Sequence, residues 1–150
     1  MARPAPFVAS VALLTLALSS IGISSASAAD PVTIDIVSVN DFHGRLEAGA
    51  PPSASAPTSP AGAAVLAGMV NSYRAANPNT AFVAAGDLIG ASTFTSFIQQ
   101  DQPTIDAFNA MGLDASSFGN HEFDQGREDV DGRILPAANW DYLAANLYEK

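Results

Sequence analysis

Apolar and polar positions alternate along this chain in two rhythms. Short, nearly continuous apolar runs occupy residues 31–40 (Pro-Val-Thr-Ile-Asp-Ile-Val-Ser-Val-Asn), 80–85, 115–118 and 142–147. They are rich in β-branched and small residues, have strand length, and predict strands; the first reads as a strand covered on both faces. Between them the period lengthens. Over 61–76, Val65, Leu66, Met69, Val70 and Tyr73 recur at helical spacing, and Asn77-Pro78 stops the helix. Two further helical pieces, 92–100 and 103–111, are separated by Asp101-Gln102. Pro103 suits a first turn and Gly112 a helix stop. A helical or irregular segment rich in Gly and Asp precedes the last strand. Strand and helix alternate throughout, which predicts an α/β fold of mostly parallel βαβ units.

Two stretches stand outside this rhythm. Residues 1–29 carry Arg3, an apolar run over 7–23, and a Ser-Ala-Ser-Ala-Ala segment that offers an Ala-X-Ala cleavage pattern. This is the pattern of a secretory signal peptide, so the mature chain is expected from residue 30, extracytoplasmic (in a periplasm, a cell wall or outside the cell) and with no membrane span after cleavage. Residues 47–60 are rich in Pro, Ala and Ser, and Pro51, Pro52, Pro57 and Pro60 forbid a helix there; the stretch reads as a solvated loop.

The whole chain of 150 residues has a formal charge of −9. All 15 acids lie beyond Ala29, so the expected mature part is more acidic still. That surface argues against nucleic acid or anionic membrane as a partner. Cysteine is absent, which excludes disulfides, thiolate metal ligands and a cysteine nucleophile.

The candidate chemistry falls where three predicted strands end. Asp41 and His43 follow the first, Gly86-Asp87 follows the second, and Gly119-Asn120-His121-Glu122-Phe123-Asp124 follows the third. Ligands of open parallel sheets bind off the carboxyl ends of the strands. Carboxylate, amide and imidazole donors without sulfur suit divalent ions such as Zn, Mn, Fe or Mg. Asp41 and His43 are two apart, so both can reach one ion. His121 and Asp124 are three apart, and on a helical turn they face each other. Taken singly, Gly86-Asp87 also reads as a turn and Asn120 as a helix cap. Phe42 reads as packing, Gly44 as a turn residue, and Glu122 as a structural group near the site.

The order Asp-X-His, Gly-Asp, Gly-Asn-His-Glu resembles the calcineurin-like metallophosphoesterases, and the added Phe123-Asp124 resembles their secreted 5'-nucleotidase and UDP-sugar hydrolase branch. The resemblance implies the N-terminal part of an αββα sandwich. It implies two divalent metal ions, with Asp41 and His43 on the first, Asp87 bridging and Asn120 on the second. It makes His121 a catalytic group facing the substrate and Asp124 the residue that orients it. The implied reaction is hydrolysis of nucleotide phosphate esters; UDP-sugars, 2',3'-cyclic nucleotides or a catalytically silent metal-binding surface module stay open as alternatives. The family's remaining histidine ligands have no counterpart here, since His43 and His121 are the only histidines. Residues 30–150 are therefore expected to be an incomplete phosphoesterase domain, inactive alone, with the rest and any nucleotide-binding domain lying beyond.

Overall fold

The computed structural model describes residues 30–50, 55, 58 and 60–148. The expected signal peptide, residues 1–29, and half of the Pro-rich stretch lie outside the described residues. Contacts divide the chain at Pro31/Val32, and the second unit holds the sheet and its helices. Four parallel strands form one sheet in the order β1 (Asp35–Val39), β2 (Thr80–Ala84), β3 (Ala115–Ser117), β4 (Asp141–Leu143). Helix α1 (Gly62–Ala76) links β1 to β2. The short α2 (Phe94–Phe97) and α3 (Gln102–Met111) link β2 to β3. A helical run of α4 (Arg127–Asp129), a π-helical stretch (Val130–Ile134) and α5 (Leu135–Ala137) leads to β4. This is the expected α/β arrangement.

Register decides which residues share a face. Val37 pairs with Phe82 and Val39 with Ala84, placing all four on the same side. That side carries the core: Phe82, Ile105 and Phe108 are essentially buried, and the Phe108 ring stacks on Phe82 and takes Phe42 edge-on at 5.0 Å. Burying each such ring contributes about 1.5–3 kcal/mol. Phe42 is thus the packing residue of the first motif, anchoring the chain between Asp41 and His43.

The expectation that the first strand is covered on both faces does not hold among the described residues. Ile36 is 71% exposed and Ile34 66%, because α1 and α3 pack together on the other face. The same geometry leaves Val65, Met69 and Tyr73 of α1 exposed while Val70 is fully buried. Boundaries contract as well. The 31–40 run narrows to five paired residues, 92–100 to the four of α2, and 142–147 to Asp141–Leu143. Strand length follows the pairing available from neighbours, which apolar character does not report. Gly112 closes α3 in a left-handed conformation, as a helix stop should. No helix among the described residues is long and apolar enough to cross a membrane.

Candidate metal centre

Each motif begins where its strand stops. The loops after β1 and β2 continue side by side: Asp41 N–H donates to Gly86 O (3.2 Å), His43 N–H to Asp87 O (3.1 Å) and Gly44 N–H to Leu88 O (3.1 Å). The loop after β3 crosses the second loop where Gly86 meets Gly119. A side chain at either position has no room: a Cβ on Gly119 would lie 2.5 Å from Asp87 N and 2.6 Å from Asp87 Cγ.

Glu122, 1% exposed, ties this crossing together. Its Oε2 accepts from the N–H groups of Asp87 (3.0 Å) and Gly119 (2.6 Å), and its Oε1 from that of Leu88 (2.9 Å). Burial pushes its carboxyl above the ordinary range, against the opposing effect of the three N–H donors. The structural role read for Glu122 from sequence thereby acquires its partners.

Ring nitrogens of His43 and His121 and a carboxylate oxygen of Asp87 all lie within 4.8 Å of one another. The two imidazoles meet edge-to-face at 5.0 Å. Asp41 stands at the rim, 59% exposed, with Oδ1 3.9 Å from His43 Nε2. His43 Nδ1 lies 2.7 Å from Gly90 O. A carbonyl only accepts, so Nδ1 holds the proton and Nε2 presents its lone pair. Asp87 Oδ1 accepts the backbone N–H of His121 at 2.9 Å, which leaves Oδ2 available.

His121–Phe123 is one 3₁₀ turn, in which residues three apart eclipse. His121 Nδ1 and Asp124 Oδ2 accordingly meet at 2.9 Å. That hydrogen bond is the main cause of the raised pKa of His121. The negative charges of Asp124, Asp87 and Glu122 add to it, while burial opposes. Asn120 opens the same turn, exposed, and its side chain makes no capping hydrogen bond. The cap reading of Asn120 therefore has no support.

Asp41 (φ 51°), His43 (φ 47°) and Asp87 (φ 52°) all lie in the left-handed region, which costs a side-chain-bearing residue roughly 1–2 kcal/mol. Such strain persists only where surrounding structure enforces it, and it gathers at functional sites. The bare His43 nitrogen beside the Asp41 and Asp87 carboxylates is a donor set that fits a borderline divalent cation, with the His121 ring facing it. Surrounding acids attract positive charge.

No family model matches the chain. An uncharacterised protein of Acinetobacter calcoaceticus is 34% identical over 148 residues, covering 79% of this chain and 71% of that protein. Bos taurus 5'-nucleotidase is 35% identical over 127 residues, covering 82% of this chain and 22% of the enzyme. Cell wall protein Lmo0130 of Listeria monocytogenes is 39% identical over 125 residues, 77% of this chain and 16% of that protein. Among solved structures, the NAD nucleotidase NadN of Haemophilus influenzae superposes with a TM-score of 0.65 at 25% identity, over 75% of this chain and 20% of that one. The calcineurin-like phosphoesterase YfkN of Bacillus subtilis gives 0.54 at 28% identity, over 73% and 36%. This chain belongs to the calcineurin-like phosphoesterases, in their 5'-nucleotidase branch. It spans about a fifth or less of the curated cell wall protein and nucleotidase, and most of the Acinetobacter protein.

Within this phosphoesterase unit the structure draws together Asp41, His43, Asp87, His121 and Asp124, with Asn120 at the head of their turn. Sequence reasoning misses Gly90, the partner of the His43 ring, and Asp101, which holds Gly90. From sequence, Asp101 reads as a separator between helices. The one available signal is an acid two residues ahead of Pro103, where a helix begins.

Proposed function

We propose that the whole protein of which this chain is part is an exported, metal-dependent phosphoric ester hydrolase acting on nucleotides, with nucleoside monophosphates as the substrate class. The observation that carries this reading is the convergence of His43, Asp87 and His121 at the carboxyl ends of three adjacent parallel strands, with Asp124 behind His121. Relatives named as 5'-nucleotidases support the substrate class, and a relative named as a cell wall protein supports export.

Asp41, His43, Asp87 and Asn120 would hold the divalent ions. When bound, the ions would supply Lewis-acid charge to the phosphoryl group. This chain's own residues do the rest. Glu122 and the left-handed loops fix the donors before substrate arrives. Gly90 O keeps the proton of His43 on Nδ1, so Nε2 faces the centre. Asp124 keeps a proton on His121 Nδ1 and favours the imidazolium. A second proton, on Nε2, can then be offered to the charge developing on the phosphoryl or leaving oxygen.

The test is phosphate release from AMP by the complete gene product with Mn or Zn added, beside UDP-glucose and a 2',3'-cyclic nucleotide. Metal-dependent release fastest from AMP is expected. Release from none of the three, with metal bound, would favour a silent binding module.

A further inference from the structure

We propose that Asp101 is the positioning residue that fixes His43 in the tautomer a metal ligand needs, acting through Gly90. The inference rests on the reading of His43 as a ligand and extends it to a residue 58 positions away that touches neither ring nor centre.

The chain of contacts is continuous. His43 Nδ1 meets Gly90 O at 2.7 Å, and the Gly90 N–H donates to Asp101 Oδ2 at 3.1 Å. Asp101 Oδ1 accepts the Ser96 hydroxyl at 2.6 Å. With its proton committed there, Ser96 Oγ accepts from Thr104 Oγ1 at 2.7 Å. Ser96 and Thr104 are fully buried and Asp101 is 8% exposed. A buried carboxylate with both oxygens engaged is a rigid support.

Two features show that Asp101 is aimed at Gly90. It heads α3, where an acid ordinarily bonds the first turn, yet its side chain makes no capping bond and turns back towards the loop. To do so it adopts φ 62°, a conformation that glycine would take without strain. The loop it holds needs holding. Gly90 (φ 74°) and Ala91 (φ 42°) are consecutive left-handed residues. Gly90 is also wedged against the third motif, since a Cβ there would lie 2.8 Å from both His121 Cβ and Asp124 Oδ2. Released from Asp101, the Gly90–Ala91 segment would relax and its carbonyl would leave His43 Nδ1. The ring would then be free to move its proton to Nε2, the nitrogen that must stay bare for a metal.

The experiment reads the tautomer directly, without metal and without turnover. With two histidines in the chain, long-range proton–nitrogen NMR of the ¹⁵N-labelled full chain at mildly alkaline pH resolves both rings. Wild type should show His43 protonated at Nδ1 alone. Asp101→Gly relieves the backbone while deleting the carboxylate. It should give mixed His43 tautomers, leave His121 unchanged because Asp124 holds it, and weaken Zn or Co binding by ~10–100-fold, the scale for losing a ligand's supporting partner. Asp101→Asn keeps an acceptor oxygen for Gly90 N–H and should restore both readouts. An unchanged His43 tautomer in Asp101→Gly, beside a merely lowered stability, overturns the proposal. So does a Gly90 amide that exchanges freely with solvent in wild type, a measurement that needs no variant to fold. A predicted tautomer in wild type beside a complete gene product that binds neither Zn nor Co overturns the metal-centre reading instead.

Discussion

Replacing Glu122 by Ala removes the carboxylate that gathers three backbone donors of the second and third motif loops, leaving the Asp87 Oδ1 bond to His121 N–H as the side-chain tie between them. Three backbone donors, on Asp87, Leu88 and Gly119, lose their acceptor in a place with 1% exposure. Each orphaned buried donor costs about 1–3 kcal/mol. Relief from burying a carboxylate, and water entering the gap, offset part of the sum. The expected loss is about 3–5 kcal/mol, a large share of the roughly 5–15 kcal/mol that stabilises a domain. Glu122→Gln keeps one acceptor oxygen, which in the place of Oε2 serves two donors, and should cost about 1–3 kcal/mol through the third. Urea unfolding followed by far-UV circular dichroism measures both. At a slope near 2 kcal/mol/M the Ala variant should lose about 1.5–2.5 M in midpoint. Acidity supplies a second handle. Because burial raises the folded-state pKa of Glu122 above its ordinary value of 4.5, its contribution is fully present below that value and is lost as pH rises through the raised one. The gap between wild type and Glu122→Ala should therefore narrow with rising pH. An Ala variant within about 1 kcal/mol of wild type would refute the idea that this carboxylate ties the loops.

His121→Ala in the complete gene product should lower turnover by ~10²–10⁴-fold while metal content, read by atomic emission, stays close to wild type; loss of metal would make His121 a ligand. In the metal-free chain His121 should titrate above 6.5, and Asp124→Asn, which removes the main cause of that shift, should bring it down in proton NMR. The sign follows for stability: the His121–Asp124 pair supports the fold below 6.5, and that support is lost as pH rises through the raised value. Gly119→Ala should abolish tight Zn binding in calorimetry, because the added methyl and the Asp87 carboxylate need the same space; unimpaired binding would show that the crossing can open.

The alternation of apolar runs and helical spacing is enough to read the sheet, its parallel sense and the place of every motif at a strand end. The pairing of His121 with Asp124 is legible because it is local, a matter of one turn. What stays hidden depends on distant partners. Nothing in the run 31–40 says that only one face is covered, since cover belongs to α1 and α3. Nothing around Asp101 says that its carboxylate serves Gly90 eleven residues earlier. Glu122 is legible as structural, but its three donors come from two loops that meet only after folding.

The left-handed backbone at Asp41, His43 and Asp87 bears on how fast an ion is captured. Loops already bent and cross-tied have little left to rearrange when a cation arrives, so capture becomes an exchange of water for protein oxygen and nitrogen. Its rate should then rise in simple proportion to ion concentration and reflect how readily each cation sheds its water. Magnesium, which gives up water reluctantly, would enter slowly even where it is abundant. Among ions competing for such a ready-made seat, the faster-dehydrating ones such as manganese or zinc would fill it first.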